Sequence, residues 1–312
     1  MAAFTTFEIS SLERYLRMFQ IGDLESCEPI EDGIENSNYF VTVILNEERS
    51  VYVLTIIEGY SFDELPFFNG VMRHLFYYGL PVAAPRQTMD GMTSTIFCGK
   101  PALLFPRLPG RHLTEVGSVH CYLVGKTLAN MHVTLATQDL FRENPFTSQW
   151  MEESLREIDI ADADKLLLRK VADEYELAQD LELPKGIIHG DLFRDNVLFN
   201  GDELTGILDF FNACHDFLVQ DIAVCINDWC QDGNGGLDSA KRDALINGYH
   251  EHRPLSASEL EYLPHFQKFA AARFTLTRLL SGEPGTYLKN PGEFLQLLRY
   301  YEEELSGRKA LT

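Results

Sequence analysis

Apolar residues recur along this chain with two different periods. In the first third the period is mostly that of strands. "SNYFVTVIL" and "SVYVLTIIE" are rich in Val, Ile, Thr and Tyr and are separated by "NEER", which predicts a β-hairpin. In "FDELPFFNGVMRHLFYYG", Leu65, Phe68, Met72 and Leu75 follow at steps of three, four and three, one face of a helix that Gly79 and Pro81 end. "QTMDGMTSTIFCGKPALLF" adds two strand-like runs around an Asp-Gly and a Cys-Gly-Lys turn. After "PRLPGRH" the helical period takes over. Cys121, Val124, Leu128, Met131 and Leu135 form a stripe, "MEESLREIDIADADKLLLRKVADEYELAQD" is charged and helix-favouring, and the chain from about Leu237 reads mostly helical. No repeat or low-complexity linker interrupts it. The pattern predicts an α+β chain with a small β-rich lobe over residues 1–106 and a larger helical lobe over 107–312, and ligands often bind in the cleft between such lobes.

One stretch breaks the helical character of the second lobe. "IIHGDLFRDNVLF" sets acidic residues, a histidine and an asparagine between two short β-like runs, and "LTGILDF" follows a turn at "NGDE". The reading is strand, polar loop, strand, hairpin turn, strand, then Asp209. Phosphoryl transfer needs these parts: a carboxylate to orient the attacking hydroxyl and accept its proton, and an amide oxygen with a second carboxylate to hold Mg²⁺. Mg²⁺ takes oxygen ligands at about 2.0–2.1 Å in octahedral geometry, so its protein ligands must converge from rigid neighbouring backbone. Asp191 is the expected base, with Asn196 and Asp209 as the metal ligands. "HGDLFRDN" matches the kinase pattern H-R-D-L-x-x-x-N except for Gly190 in place of Arg. A bare HxD with a nearby Asn is common in solvated loops; the strand context and the returning Asp209 favour chemistry. His189 is expected to brace the loop, and Asp195 to lie on the surface.

Composition then narrows the partners. Among 312 residues, 26 Lys plus Arg stand against 47 Asp plus Glu, a net charge of −21. Such a field repels phosphate backbones and anionic lipid, so neither nucleic acid nor a membrane is an expected partner. A nucleotide is not excluded, because a local site outweighs a distant field screened within ~8 Å. The six cysteines have neither CxxC pairs nor framework spacing, and reduced, mostly buried thiols are expected. No secretory segment is visible in "MAAFTTFEIS", and nothing approaches the ~20 apolar residues of a transmembrane helix. A cytoplasmic location is expected.

"GIENSNYFV", "YVLTIIE", "DELPFFNGVMRHL", "HGDLFRDNVLF", "LDFFNACHDFLVQDIAVCINDWC", "GYHEHRPLS" and "RFTLTRL" together resemble the aminoglycoside phosphotransferase/choline kinase branch of the protein-kinase-like fold. Within it they are most similar to the homoserine kinases of the phosphotransferase-like type. The resemblance covers nearly the whole chain. It implies a bilobal fold and ATP- and Mg²⁺-dependent phosphorylation of the side-chain hydroxyl of L-homoserine, a step towards threonine. It makes Asp191 the base, Asn196 and Asp209 the metal ligands with Asn196 also against the nucleotide, and Asp221 the helical residue that holds the loop. It places Gly33, Asn36, Ser37 and Asn38 at the nucleotide phosphates and Leu103 and Phe105 at adenine. One departure from the wider kinase pattern stands out: Thr55 or its neighbours occupy the strand position where most kinases have a phosphate-binding lysine, with Arg73 and Lys100 as weak substitutes. An amino-acid acceptor needs a cation for its carboxylate, best met by Arg. Arg273 is preferred over Arg278, with Asp216 or Asp228 for the amine and Trp229 shaping the pocket. The alternatives are a choline, ethanolamine or aminoglycoside kinase, or a nucleotide-binding pseudokinase. Homo-oligomerisation is left open.

Overall fold

The computed structural model describes residues 5–30, 36–233, 235–281 and 290–309, and the chain divides into two compact units. The first comprises residues up to Gly110 together with Thr205–Leu208. It opens with helix α1 (Ile9–Leu16) and holds a five-stranded antiparallel sheet in the order β1-β2-β3-β5-β4. The strands are β1 (Asp23–Pro29), β2 (Ser37–Leu45), β3 (Glu48–Ile56), β4 (Thr95–Phe97) and β5 (Lys100–Pro106). The β2–β3 hairpin is tighter than "NEER" suggests: Asn46 and Glu47 both have positive φ (51° and 69°), the two-residue turn whose twist matches paired strands. Cys98 and Gly99 (φ 52° and 76°) do the same for β4–β5.

Strand alternation gives this sheet two chemically different faces. Tyr39, Val41 and Val43 of β2, Leu54 and Ile56 of β3, and Ala102 and Leu104 of β5 pack against Leu12, Tyr15 and Leu16 of α1. Neither α1 nor β1 was expected from the apolar period. After β3, Ser61 and Glu64 form a capping box before α2 (Leu65–Tyr77), which buries Leu65, Phe68, Met72 and Leu75 as its spacing predicts, and Gly79 (φ 78°) ends it.

The second unit, Arg111–Leu204 with Asp209–Thr312, is mainly helical. It contains α3 (Ser118–Leu135), α4 (Ser148–Glu157) and α5 (Asp162–Ala178). The expected stripe of α3 is buried. The long helix-favouring run is split at Ile158, whose backbone is extended (φ −96°, ψ 146°). Four short strands follow in the chain: β6 (Lys185–Ile188), β7 (Val197–Asn200), β8 (Glu203–Ile207, of which residues 205–207 belong to the first unit) and β9 (Cys214–Phe217). β7 and β8 form the expected hairpin, while β6 pairs with β9. Then come α6 (Leu218–Trp229), α7 (Ser239–His252), α8 (Ala257–Leu280) and α9 (Pro291–Lys309). All twelve residues of α6 are buried, which makes it the axis of this unit. Lys268 of α8 is buried and pairs with Glu174 of α5 (2.6 Å) and Glu302 of α9 (2.5 Å), tying three helices through one ammonium. Among the described residues no helix is long and apolar enough to cross a membrane, and all six cysteines are free thiols, four of them buried.

Candidate active site

The polar loop lies between β6 and β7, and α6 accounts for most of its backbone. Asp221 accepts from the N–H groups of His189 (2.7 Å) and Gly190 (2.8 Å). Trp229 Nε1 and Cys225 Sγ donate to the Leu192 carbonyl (2.9 and 3.6 Å), and Asp228 accepts from the Arg194 N–H (2.7 Å). Residues 221, 225, 228 and 229 are spaced i, i+4, i+7 and i+8, so one face of a single buried helix presents them all. A backbone with its donors and acceptors paired in this way is held in one conformation.

Gly190 has φ 77°, and a Cβ there would lie 2.8 Å from the Asn212 carbonyl oxygen. That explains glycine where the wider kinase pattern has Arg. The guanidinium comes instead from α8: Arg273 Nη1 donates to the Gly190 carbonyl (2.5 Å) and Nη2 to Asn212 Oδ1 (3.2 Å), stitching the loop to the segment after β8. His189 is buried, its Nδ1 accepts from the Asp191 N–H (3.3 Å), and its ring lies 4.7 Å from that of Phe210.

Within the loop, Asn196 Nδ2 donates to the Asp191 carbonyl (2.7 Å) and to the Asp191 carboxylate (3.2 Å). This fixes the Asp191 side chain and leaves Asn196 with its oxygen for a cation. Asp209 is held in the left-handed region (φ 57°, ψ 71°) at the start of the short turn Phe210–Asn212, an uncommon conformation for a side chain other than glycine. The two residues expected to hold a metal, Asn196 and Asp209, offer one amide oxygen and one carboxylate, hard oxygen donors of the kind Mg²⁺ takes. Among the described residues no group of three His, Cys, Asp or Glu is placed to hold a metal, so phosphate and water oxygens would complete the shell.

Asp221 is fully buried and also accepts from His132 Nε2 (3.1 Å). Burial alone would push its carboxyl up; the His132 hydrogen bond, the charges of His132 and His189 and the His189 N–H outweigh that and hold it below the ordinary aspartate value.

The residues expected around an amino-acid acceptor are engaged with the protein itself. Arg273 serves Gly190 and Asn212 and stacks on Phe146 (3.8 Å). Asp228 is paired with the Arg194 backbone and guanidinium, and Trp229 is buried against Leu192. Asp216 accepts from Asn144 (2.7 Å), Tyr175 (3.0 Å) and the Phe217 N–H (2.7 Å), and burial raises its pKa. The helical spacing of 221, 228 and 229 was the available signal that two of these point the same way as Asp221. Cys225 belongs to the same face. Asp195 is exposed.

In the first unit, Gly33 lies outside the described residues. Asn38 pairs with Thr55, and Thr55 with Leu103, so these three side chains share one sheet face, with Phe40, Val53 and Phe105 further along it. The Thr55 hydroxyl donates to Asn38 Oδ1 (2.8 Å). Asn36 is buried and its Oδ1 accepts from the Glu58 N–H (3.2 Å). Ser37 pairs with Ile56, and its side chain therefore lies on the α1 side, where its hydroxyl donates to Glu58 (2.5 Å). Lys100 is on that side too, bonded to Glu58 and to Thr5. Hydrogen bonds from Lys100, Ser37 and Thr5 overcome the upward push of burial and lower the Glu58 pKa. Arg73 is exposed.

A strand-braced HxD loop with an asparagine five residues on is the pattern of a phosphotransferase, and comparison with known proteins decides the family. Residues 26–255 match the model of the phosphotransferase enzyme family. The chain belongs to that family. It is 37% identical to a homoserine kinase of Bradyrhizobium sp. over 99% of this chain and 98% of that protein. It is 38% identical to one of Pseudomonas aeruginosa, over 94% of each. Among solved structures it resembles an amicoumacin kinase in complex with AMP-PNP, Ca²⁺ and Ami (TM-score 0.75, 19% identity, 96% of this chain and 93% of that one). It also resembles a choline kinase from Cryptosporidium parvum Iowa II (TM-score 0.67, 15% identity, 97% of each chain). At these identities the structural likeness establishes the kinase-like fold alone.

Proposed function

We propose that this phosphotransferase uses ATP and Mg²⁺ to phosphorylate the side-chain hydroxyl of L-homoserine, giving O-phospho-L-homoserine and ADP, a step of threonine biosynthesis. The observation that carries the reading is the end-to-end similarity to homoserine kinases. The hydroxyl oxygen attacks the γ-phosphorus, the bond from that phosphorus to the β–γ bridging oxygen breaks, and the hydroxyl proton passes to the Asp191 carboxylate. The Asn196 hydrogen bonds aim that carboxylate. Mg²⁺, when bound, neutralises charge on the transferring phosphates, and Asn196 and Asp209 would hold it. The nucleotide is assigned to the segment Gly33–Asn38 and to the face bearing Leu103 and Phe105. His189 and Asp221 position the loop without touching the reacting atoms.

The test is ADP release by the purified protein across a panel of small alcohols and hydroxy amino acids. Homoserine- and Mg²⁺-dependent turnover is expected, and Asp191→Asn should lower it by roughly 10²–10⁴-fold while leaving the unfolding midpoint close to wild type. Faster turnover of choline, ethanolamine or an aminoglycoside would overturn the choice of acceptor. ATP binding with no acceptor phosphorylated would overturn catalysis.

A further inference from the structure

An amino-acid acceptor brings a carboxylate that must meet a cation, and Arg273 is committed to Gly190 and Asn212. Helix α8 carries a second arginine one turn beyond the residue that touches the catalytic loop. Phe193 of the loop forms a three-ring cluster with Phe274 of α8 (4.4 Å) and Phe294 of α9 (5.6 Å, 20° between planes), which themselves lie 5.4 Å apart. Arg278, four residues after Phe274 and on the same helix face, lays its guanidinium over the Phe294 ring at 4.1 Å. Its side chain is 11% exposed.

Its own partners are few for a cation so withdrawn from water. Nη1 donates to the Asn290 carbonyl (3.1 Å) and lies 3.6 Å from Glu293, a residue that is 55% exposed. Among the described residues, Nε and Nη2 have no hydrogen-bond partner. The group is therefore stacked and oriented on a ring that packs against Phe193 of the loop that carries Asp191, with one edge of its fork unspent among the described residues. Burial lowers its pKa, and the charges of Glu293, Asp228, Asp191 and Asp195 act against that, which places the catalytic carboxylate within its electrostatic reach. A planar guanidinium fixed on an aromatic face is suited to two parallel bonds to a carboxylate.

We propose that Arg278 receives the α-carboxylate of the amino-acid acceptor while the acceptor's hydroxyl faces Asp191. This rests on the homoserine reading above. A purely structural Arg278, closing the end of α8 against Asn290, would serve every acceptor equally, and the experiment separates the two. L-homoserine is compared with 3-aminopropan-1-ol, which keeps the hydroxyl-to-amine spacing and lacks the carboxylate. The amino alcohol is read as a substrate or, where it turns over slowly, as a competitive inhibitor. In Arg278→Met, kcat/KM for homoserine should fall by about 100-fold or more, mostly through KM, while the constant for 3-aminopropan-1-ol moves by less than about threefold. Arg278→Lys should fall between, keeping charge without the planar fork. Equal losses for both ligands, or none for homoserine, would overturn the proposal while homoserine remained the acceptor. A wild-type protein that does not phosphorylate homoserine would overturn the underlying function instead.

Discussion

Removing the Asp221 carboxylate should loosen the catalytic loop and unfold the helical unit more easily. This side chain is fully buried and accepts from the N–H groups of His189 and Gly190 and from His132 Nε2. Asp221→Ala strands two buried backbone donors and a buried imidazole. Three buried groups at about 1–3 kcal/mol each set a floor of about 3 kcal/mol, and a loss of about 3–5 kcal/mol is expected, the range for breaking a buried charged partnership. Asp221→Asn is gentler: its oxygen keeps one backbone N–H, but its amide meets the other donor, for about 1–3 kcal/mol. The assay is urea unfolding followed by tryptophan emission. The chain has two tryptophans, and in a Trp150→Phe background the remaining one, Trp229, donates to Leu192 in the loop and reports this site. kcat should fall with stability, because Gly190 and Asp191 are adjacent.

The pH dependence supplies an independent arm. The folded-state pKa of Asp221 is depressed, so its stabilisation is present above the unfolded value of about 3.9 and is lost as pH falls through the lower folded value. The Asp221 share of the stability gap between wild type and Asp221→Asn should close as pH falls below about 4. An Asp221→Ala protein within about 1 kcal/mol of wild type, or an Asp221→Asn gap that does not narrow on acidification below about pH 4, would refute the account.

Two further predictions concern the loop's immediate surroundings. Gly190→Ala should cost about 1–3 kcal/mol and lower turnover, because φ is 77° and the new Cβ would meet the Asn212 carbonyl at 2.8 Å; an unchanged melting temperature would refute this. Asp209→Asn should fold normally, since Asn tolerates the left-handed backbone seen there. It should nevertheless need about tenfold more Mg²⁺ or greater for half-maximal turnover, and titration of activity against Mg²⁺ checks it.

The elements legible in the sequence by their period are those that bury one side only, whereas the short buried strands β6 and β7 are read from β-favouring residues flanking the polar loop. β2, β3 and α2 alternate between core and solvent, so their periods of two and 3.6 survive in the residue order. α1 has the same signal in Leu12, Tyr15 and Leu16, but eight residues hold too few repeats for it to emerge. α6 keeps a helical period, but it is buried on every side, and its polar positions Asp221 and Asp228 face the loop rather than solvent, so the period marks no surface. The candidate site divides in the same way. Asp191, Asn196 and Asp209 could be chosen because loop chemistry fixes both residue type and spacing. The choice of Arg273, Asp216, Asp228 and Trp229 used residue type alone, and type does not say which way a side chain points. Two of them lie on the helix face of Asp221, and their bonds run to the catalytic loop.

Direction also bears on the strand that lacks a lysine. Thr55 and Asn38 share one face of the sheet, joined by a 2.8 Å hydrogen bond, and Leu103 lies beside them. Lys100 alternates onto the other face with Ala102 and Leu104, where Glu58 and Thr5 occupy its ammonium. A register shift of one residue would be needed to exchange the two faces, and that would turn Tyr39, Leu54 and Leu104 out of the core formed with α1. Lys100 is therefore not a displaced version of the missing lysine. A face built from an amide and a hydroxyl offers dipoles and no charge, so on the proposed nucleotide assignment the positive charge for a triphosphate is expected chiefly from the metal ion and from backbone N–H groups. On that reasoning the absence of the lysine makes nucleotide binding unusually dependent on the cation. It is no argument against the proposed catalysis, because Asn196 still donates to the Asp191 carboxylate.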